Sequence, residues 1–307
     1  MLKQKRPVTT RSKHWNNYGL LLLPGFGTLV LTLGGALFWN ANISLNRWAG
    51  YENPIWVGFR NYRYLAHNEE FRSAVLHALF FIIPFAIIPT VLGALLAAII
   101  FEYISPRFGE RIASFFRVSF YLPQVVPIAI SGLLWLAILG NDGILNMALR
   151  SSGHGSLAYE WLDNGRSAQL WMAVILIWLQ LGYTTMVFVA GMARIDTRLY
   201  EAAQLDGASW LQQFRAITMP QLRPEMFVVL LISSIGALKI FAPIYWITSG
   251  GPFGATNVPS LYAFNAFYGG DQVPFGATVS TVFAVIVGTL AFLVVQLQHK
   301  YFGGDEA

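Results

Sequence analysis

Residues 200–224 read YEAAQLDGASWLQQFRAITMPQLRP, a polar and charged interval between two very apolar segments. The triplet EAA at 201–203 favours a helix, and Gly207 interrupts that helix. An amphipathic run follows, formed by Trp210, Leu211, Phe214 and Ile217. Pro220 and Pro224 then end the interval. The spacing EAA-x3-G-x9-I-x-x-P therefore predicts two short helices with a bend between them, lying at a membrane surface.

The segments around this interval are long, apolar and almost free of charge. Apolar residues make up 55% of the 307-residue chain and charged residues only 11%, a balance that is unusual for a soluble protein. Each uncharged stretch is long enough to cross a hydrocarbon core as a helix, which takes about 20 residues. The stretches are 18–46, 73–101, 118–141, 167–193, 226–270 (interrupted only by Lys239) and 272–299. We therefore predict an all-α polytopic membrane protein with six transmembrane helices.

Positive charge is distributed unevenly between the predicted loops, which predicts the orientation of the chain. If the N-terminus is cytoplasmic, the inside segments hold 13 lysines and arginines and the outside loops hold 6, in agreement with the positive-inside rule. The prediction then divides the chain into a cytoplasmic N-terminal segment (1–17), a transmembrane domain (18–299) and a cytoplasmic tail (300–307). The loop 194–224, between helices four and five, faces the cytoplasm. We interpret the first apolar run as a retained span because it is longer than the apolar core of a signal peptide.

No enzymatic or metal-binding signature is present in the sequence. There is no G-x-x-x-x-G-K-[ST] phosphate loop, no H-E-x-x-H pair and no cysteine. We therefore predict no catalytic residue, no metal site and no cofactor bound by this chain. The positive charge is explained by membrane topology, which leaves no argument for nucleic acid as a partner. Because no chain of acidic residues runs through the predicted spans, a proton-coupled transporter is disfavoured, and uphill transport would draw its energy from another polypeptide.

The spacing EAA-x3-G-x9-I-x-x-P resembles the cytoplasmic signature of permease subunits of bacterial binding-protein-dependent ABC importers. Met219 stands where that family usually has leucine. Two further segments, WVGFRNY at 56–62 and IYWITSGGP at 244–252, resemble segments of the carbohydrate-uptake branch. They resemble the subunit type related to the first permease of maltose and glycerol-3-phosphate importers. Ala242 departs from that pattern, because the family often has an aspartate at this place.

The resemblance implies that the loop 194–224 is a coupling segment seated in a cleft of an ATP-binding subunit. The residues that would couple to the ATPase are Glu201, Ala202, Ala203, Asp206, Gly207, Trp210 and Phe214. The implied partners are a second permease subunit, a dimer of ATP-binding subunits that hold ATP and magnesium, and an external solute-binding protein. The implied location is the bacterial cytoplasmic (inner) membrane and its lipid, and the implied cargo is a sugar of unspecified identity.

Two alternatives to this interpretation remain open at the level of the sequence. The interval 200–224 could be an amphipathic helix that lies on lipid through its apolar face. The whole chain could be a stand-alone secondary transporter or channel. An amphipathic helix that lies on lipid would not require Gly207, which interrupts the helix, or the prolines that end the interval.

Polar and aromatic side chains within the predicted spans are candidates for the transport path. Pro123 and Pro127 predict kinks in the third span, either as ordinary packing or as a hinged helix that lines a path. Lys239 in the fifth span could bind a substrate oxygen, face a helix C-terminus or lie near the aqueous boundary. We predict that some of the following residues face the path: Gln124, Lys239, Phe241 and Tyr245. Packing within the protein is the alternative role for each of them.

Overall fold

The computed structural model of the chain describes residues 15–48, 53–269 and 272–302. Within them the backbone is mostly helical, as predicted. The α-helices are α1 (Trp15–Leu29), α2 (Gly35–Ser44), α3 (Arg60–Ala66), α4 (Glu69–Ile82), α5 (Ile88–Ala98), α6 (Ser105–Phe108), α7 (Glu110–Val125), α8 (Ile128–Leu139), α9 (Ile144–Ser151), α10 (Gly165–Met192), α11 (Thr197–Leu205), α12 (Trp210–Gln213), α13 (Met219–Gln221), α14 (Arg223–Leu238), α15 (Ala242–Ile247), α16 (Pro259–Tyr268) and α17 (Val273–Phe302). π-Helical turns lie at Val30–Gly34, Ile83–Ile87, Ile99–Ile104 and Phe214–Thr218, and a 3-10 turn lies at Gly155–Leu157. A short antiparallel ladder joins β1 (Asn46–Arg47) to β2 (Ile55–Trp56), with Asn46 opposite Trp56.

Five helices in the described part of the chain are long and apolar enough to cross a membrane. They are Leu21–Ser44, Glu69–Phe108, Ile128–Ser151, Gly165–Met192 and Val273–Gln296. A sixth candidate exists only if Trp210–Gln221 and Arg223–Leu238, which are bent by 67° relative to each other, count as one span. The structure therefore supports five or six spans, where the sequence predicts six.

Two predicted spans have different boundaries in the structure. The helix of the second span continues beyond the predicted end to Phe108, so that Glu102 lies within it. The third predicted span, 118–141, is divided at Val126 and Pro127, whose backbones are extended, with ψ angles of 129° and 133°. Proline removes the N–H that would continue the helix and disfavours helical geometry in the residue before it. The kink predicted at Pro127 is therefore a break, whereas Pro123 stays inside α7. After the break, α8 packs against α15, while α7 packs against α10.

The fifth predicted span, 226–270, is not one continuous helix. α14 is followed by the short α15, an irregular loop and then α16. Side chains from other helices satisfy the backbone of this loop. Gln169 Nε2 donates to the carbonyl oxygen of Ala255 at 2.6 Å, and His77 Nδ1 lies 3.0 Å from the carbonyl oxygen of Asn257. Irregular backbone is tolerated at membrane depth where the protein supplies such partners.

α10 is the helix around which the bundle packs, since it contacts α5, α7 and α14. Its inward side chains are fully buried, including Met172, Ile175, Leu176 and Phe188. Much of the remaining surface is apolar and exposed; in the first span, Leu22 is 69% and Leu31 is 78% exposed. Such a surface suits contact with lipid or with another membrane subunit rather than with water.

Candidate coupling site

The coupling segment (194–224) begins with α11, the helix that carries the EAA triplet at 201–203. Asp196 caps its N-terminus, because the carboxylate accepts a hydrogen bond from the Arg198 N–H at 3.0 Å. Glutamate, glutamine and alanine, which have high helix propensity, fill the body of the helix. No residue of α11 is buried, so most of its surface is open to solvent or to a partner.

The bend after α11 is made by Gly207, whose φ of 76° lies in the left-handed region that favours glycine. The Gly207 N–H donates to the Gln204 carbonyl oxygen at 3.0 Å. The Ala208 N–H donates to the Ala203 carbonyl oxygen at 2.9 Å. These two bonds form the Schellman pattern in which many helices end. The predicted bend between two short helices is therefore present.

The second short helix, α12, starts directly after the bend. Ser209 and Gln212 form a capping box, in which the Ser209 N–H donates to Gln212 Oε1 at 2.7 Å. Gln213 Nε2 donates back to the carbonyl oxygen of Ala208 at 2.8 Å, which holds the helix against the bend. The chain then continues through the π-helical turn Phe214–Thr218 into α13.

One side of the coupling segment is anchored in the helix bundle. Phe214 is 6% exposed and packs in a cluster with Phe188, Met192 and Leu222. Trp210 stacks on Phe214, with ring centroids 5.4 Å apart and ring planes 17° apart. Of the predicted coupling residues, Phe214 is therefore buried in its own chain, and Trp210 covers it.

The other side of the coupling segment is exposed. Glu201, Ala202 and Asp206 are exposed and Ala203 is half-buried, while Leu205 is 89% exposed. The Glu201 carboxylate makes no hydrogen bond or ion pair within the part of the chain that the structure describes. An exposed leucine beside an unpaired carboxylate and small side chains suits docking of a protein that offers a basic group.

Sequence reasoning missed two polar contacts that connect the coupling segment to the membrane helices. Thr218 Oγ1 donates to Glu102 Oε1 at 2.7 Å and lies 2.9 Å from the Tyr200 hydroxyl. Burial raises the pKa of Tyr200 to about 12, and the charge of Glu102 adds to the increase. An ion pair joins Arg194, at the start of the segment, to Glu225 of α14, directly after its end. The sequence did contain one indication of the contact with the second span, namely Glu102, an acidic residue directly after the apolar stretch of that span.

The structure brings two of the four predicted path residues together. Phe241 and Tyr245 stack with ring centroids 5.3 Å apart, and Phe264 lies against both rings. Lys239 lies at the end of α14 and is exposed. Gln124 is exposed on α7 and makes no side-chain hydrogen bond within the described ranges.

Comparison with known proteins identifies the family. Residues 90–302, which include the whole coupling segment, match the family described as binding-protein-dependent transport system inner membrane component. The chain belongs to this family. It is therefore a membrane-spanning permease of a transport system, and the predicted resemblance to this class of protein is confirmed.

Relatives of this permease extend the match over nearly the whole chain. The trehalose/maltose transport system permease protein MalF of Thermococcus litoralis is 33% identical over 93% of this chain and 90% of its own length. The probable ABC transporter permease protein YurN of Bacillus subtilis is 30% identical, over 88% of this chain and 91% of its own.

Solved structures share the fold of this permease. A bacterial ABC transporter involved in the import of the acidic polysaccharide alginate matches with a TM-score of 0.79 at 23% identity, covering 94% of this chain and 96% of that one. A bacterial alginate ABC transporter in complex with an alginate pentasaccharide-bound periplasmic protein matches with a TM-score of 0.78 at 22% identity, covering 93% and 94%.

Proposed function

We propose that this permease is the transmembrane subunit of an ATP-driven sugar importer and forms half of its translocation path. The observation that carries the proposal is the exposed side of α11, where Glu201 and Leu205 lie beside the EAA alanines. A cleft of a separate ATPase receives this side. ATP-driven closure of two ATPase subunits then rocks the membrane helices between inward- and outward-facing states. The permease contributes no catalytic residue, because hydrolysis takes place on the partner.

The proposed orientation has six spans, both termini in the cytoplasm and the coupling segment on the cytoplasmic side. The second helix of the bent pair, Arg223–Leu238, supplies the sixth span, and Trp210–Gln221 stays in the coupling segment. The distribution of lysine and arginine supports this orientation. The description of the family supports the bacterial inner membrane as the location.

The proposed partners are a second permease subunit, a dimer of ATP-binding subunits with ATP and magnesium, and an external solute-binding protein. The structural relative solved with an alginate-loaded periplasmic protein supports the last of these. The alternative function is a stand-alone secondary transporter or channel. Such a protein works without an ATPase and does not require an exposed EAA helix on which one could dock. The anchored and exposed sides of the segment therefore favour the importer.

A sugar is the proposed cargo. The names of the relatives that transport trehalose/maltose and alginate support this class of substrate. The stacked rings of Phe241 and Tyr245 offer aromatic faces of the kind that line ligand sites, and Lys239 and Gln124 offer polar groups for orientation. We propose that these four residues contribute to the path.

Two substitutions in the coupling segment test the coupling to an ATPase. We expect Glu201→Lys to lose co-purification of the ATPase subunits, because the lysine repels the basic group that the carboxylate binds. We expect Gly207→Pro to uncouple transport from hydrolysis, because proline requires a φ near −65° and lacks the N–H that bonds to Gln204. Both variants should reach the membrane in normal amount. ATPase retained with the purified permease and sugar uptake by proteoliposomes are the measurements.

The chain offers a matched control for each substitution. Glu160 is also exposed and unpaired among the described residues but lies in the outer loop (residues 140–164, between α8 and α10), so Glu160→Lys should retain the ATPase. Gly153 has a φ of 81° and an N–H bonded to the Arg150 carbonyl oxygen, so Gly153→Pro imposes the same local strain outside the coupling segment. Normal uptake by Glu201→Lys and Gly207→Pro, with normal ATPase association, would refute the coupling role.

A further inference from the structure

Two π-helical turns meet where the coupling segment contacts the second membrane helix. Glu102 lies in the turn Ile99–Ile104, and Thr218 lies in the turn Phe214–Thr218. The hydrogen bond from Thr218 Oγ1 to Glu102 Oε1, 2.7 Å long, joins the two turns. π-Helical turns are rare and are found frequently at functional sites. A polar contact between two of them therefore points to more than ordinary packing.

The hydrogen bonds at this contact have a definite direction. A threonine hydroxyl carries one hydrogen, and Thr218 donates it to the Glu102 carboxylate. The Tyr200 hydroxyl, 2.9 Å from Thr218 Oγ1, must then be the donor in the second bond. Because burial raises the pKa of Tyr200 to about 12, this hydroxyl stays protonated and able to donate at neutral pH. The hydrogen bonds therefore run in one direction, from the Tyr200 hydroxyl on α11 through Thr218 to the Glu102 carboxylate in the second membrane helix.

The contact is shielded from water. Thr218 is fully buried, and Tyr200 and Glu102 are half-buried. The second carboxylate oxygen, Glu102 Oε2, is buried and has no hydrogen-bond partner in the described part of the chain. An unsatisfied buried oxygen lowers the stability of a fold. Glu102 therefore serves a role other than stability alone.

The helix that receives the contact reaches across the whole bundle. Glu102 belongs to the 40-residue helix Glu69–Phe108, and the α5 part of that helix packs against the central α10. A displacement of α11 that moves Glu102 therefore moves the helix Glu69–Phe108, which packs against the central α10.

We propose that Tyr200, Thr218 and Glu102 form a positioning link, through which α11 and the inner end of the second membrane helix move as one body. The link rests on the proposed coupling to an ATPase and adds the route by which ATPase movement reaches the membrane helices. Glu102 and Thr218 act through α11 and do not touch the cargo or the nucleotide.

Spin-label distances test the rigid-body movement directly. The chain has no cysteine, so labels are introduced only by Gln204→Cys on α11 and Arg107→Cys on α6, both exposed positions. In the full transporter we expect the distance between these labels to change by less than about 2 Å when ATP binds. With Tyr200→Phe added, we expect the distance distribution to broaden and to shift between the two states.

The second measurement is the ratio of sugar imported to ATP hydrolysed. This ratio would not change if Tyr200 and Thr218 only stabilised the fold. We expect Tyr200→Phe and Thr218→Val to lower the sugar imported per ATP by at least about fivefold, the lower end of usual coupling effects. Both variants should retain the ATPase, because the exposed side of α11 is unaltered. Thr218→Ser keeps the hydroxyl and should restore coupling. Tyr64→Phe is the matched control, since the Tyr64 hydroxyl makes no hydrogen bond within the described residues.

The outcomes separate this link from the proposed function. A wild-type transporter that couples normally, together with Tyr200→Phe and Thr218→Val variants that import the normal amount of sugar per ATP, would overturn the link alone. A change of several ångströms in the wild-type distance on ATP binding would overturn it as well. A wild-type permease that fails to bind any ATPase would overturn the proposed function and the link with it.

Discussion

Gly182 of α10 lies where α7 crosses it. A β-carbon at this position would stand 2.7 Å from Tyr121 Cα and would also overlap the carbonyl group of Phe120. Backbone atoms of a facing helix cannot rotate away as the end of a side chain can. The close approach of the two helices therefore depends on the absence of a side chain at residue 182, a common feature of helix packing in membranes. Because α7 ends at the break before Pro127, this contact fixes one side of the break.

Gly182→Ala is expected to lower the free energy of unfolding by about 1–3 kcal/mol, the usual cost of overpacking a dense interior. The midpoint of thermal unfolding of the purified protein in detergent is the measurement. Gly288→Ala is the matched control, because nothing lies within 4 Å of the β-carbon position in this glycine of α17. Equal midpoints for the two variants would contradict the close packing of α7 on α10.

Gly207 and Glu102 show which roles of single residues can be predicted from sequence. The turn at Gly207 is made by hydrogen bonds between residues at most five apart, and a spacing of that length is visible along the chain. The bond between Thr218 and Glu102 joins residues 116 apart, and no local pattern around either residue predicts the other. Phe214 is intermediate, because its apolar character was evident but its burial in its own chain depends on tertiary structure.

At the scale of helices, hydropathy predicts how long an apolar stretch is but not whether it stays helical. The stretch 226–270 contains three helices and an irregular loop rather than one span. The irregular backbone of this loop is tolerated because Gln169 and His77, from two other helices, form hydrogen bonds with its carbonyl groups. A hydropathy profile averages over neighbouring residues and cannot show such distant partners. By contrast, the break at Pro127 agrees with local chemistry, since proline acts on itself and the residue before it, although the same chemistry leaves Pro123 inside α7.

The broken helices α14 and α15 hold the aromatic part of the proposed sugar path. Alanine at Gln124, Lys239, Phe241 and Tyr245 together is expected to raise the KM for sugar uptake at least about tenfold, which corresponds to about 1.4 kcal/mol of lost binding. Uptake by proteoliposomes that contain the full transporter is the measurement, with ATPase co-purification as the test of folding. Phe115→Ala, which removes an exposed ring on α7, should leave the KM unchanged. Unchanged affinity and rate in the fourfold variant would exclude these residues from the path.

At the scale of the whole molecule, α10 connects two parts of the chain that the proposed function places on opposite sides of the membrane. The outer loop precedes this helix and the coupling segment follows it. With 28 residues, the helix is about 42 Å long at about 1.5 Å per residue, which is enough to cross a bilayer. The exposed apolar surface along the bundle suits contact with lipid or with another membrane subunit. In the proposed importer, the outer loop serves delivery of the cargo and the coupling segment serves docking of the ATPase.

Photo-crosslinking from Leu205 tests most directly whether the coupling segment docks on an ATPase. A photoreactive amino acid replaces Leu205, 89% exposed after the EAA triplet, or Leu157, 59% exposed in the outer loop. The crosslinked products are identified from membranes that contain the full transporter. We predict a covalent product with the ATP-binding subunit from position 205 and none from position 157. No such product from position 205, or the same product from both positions, would contradict the proposed docking.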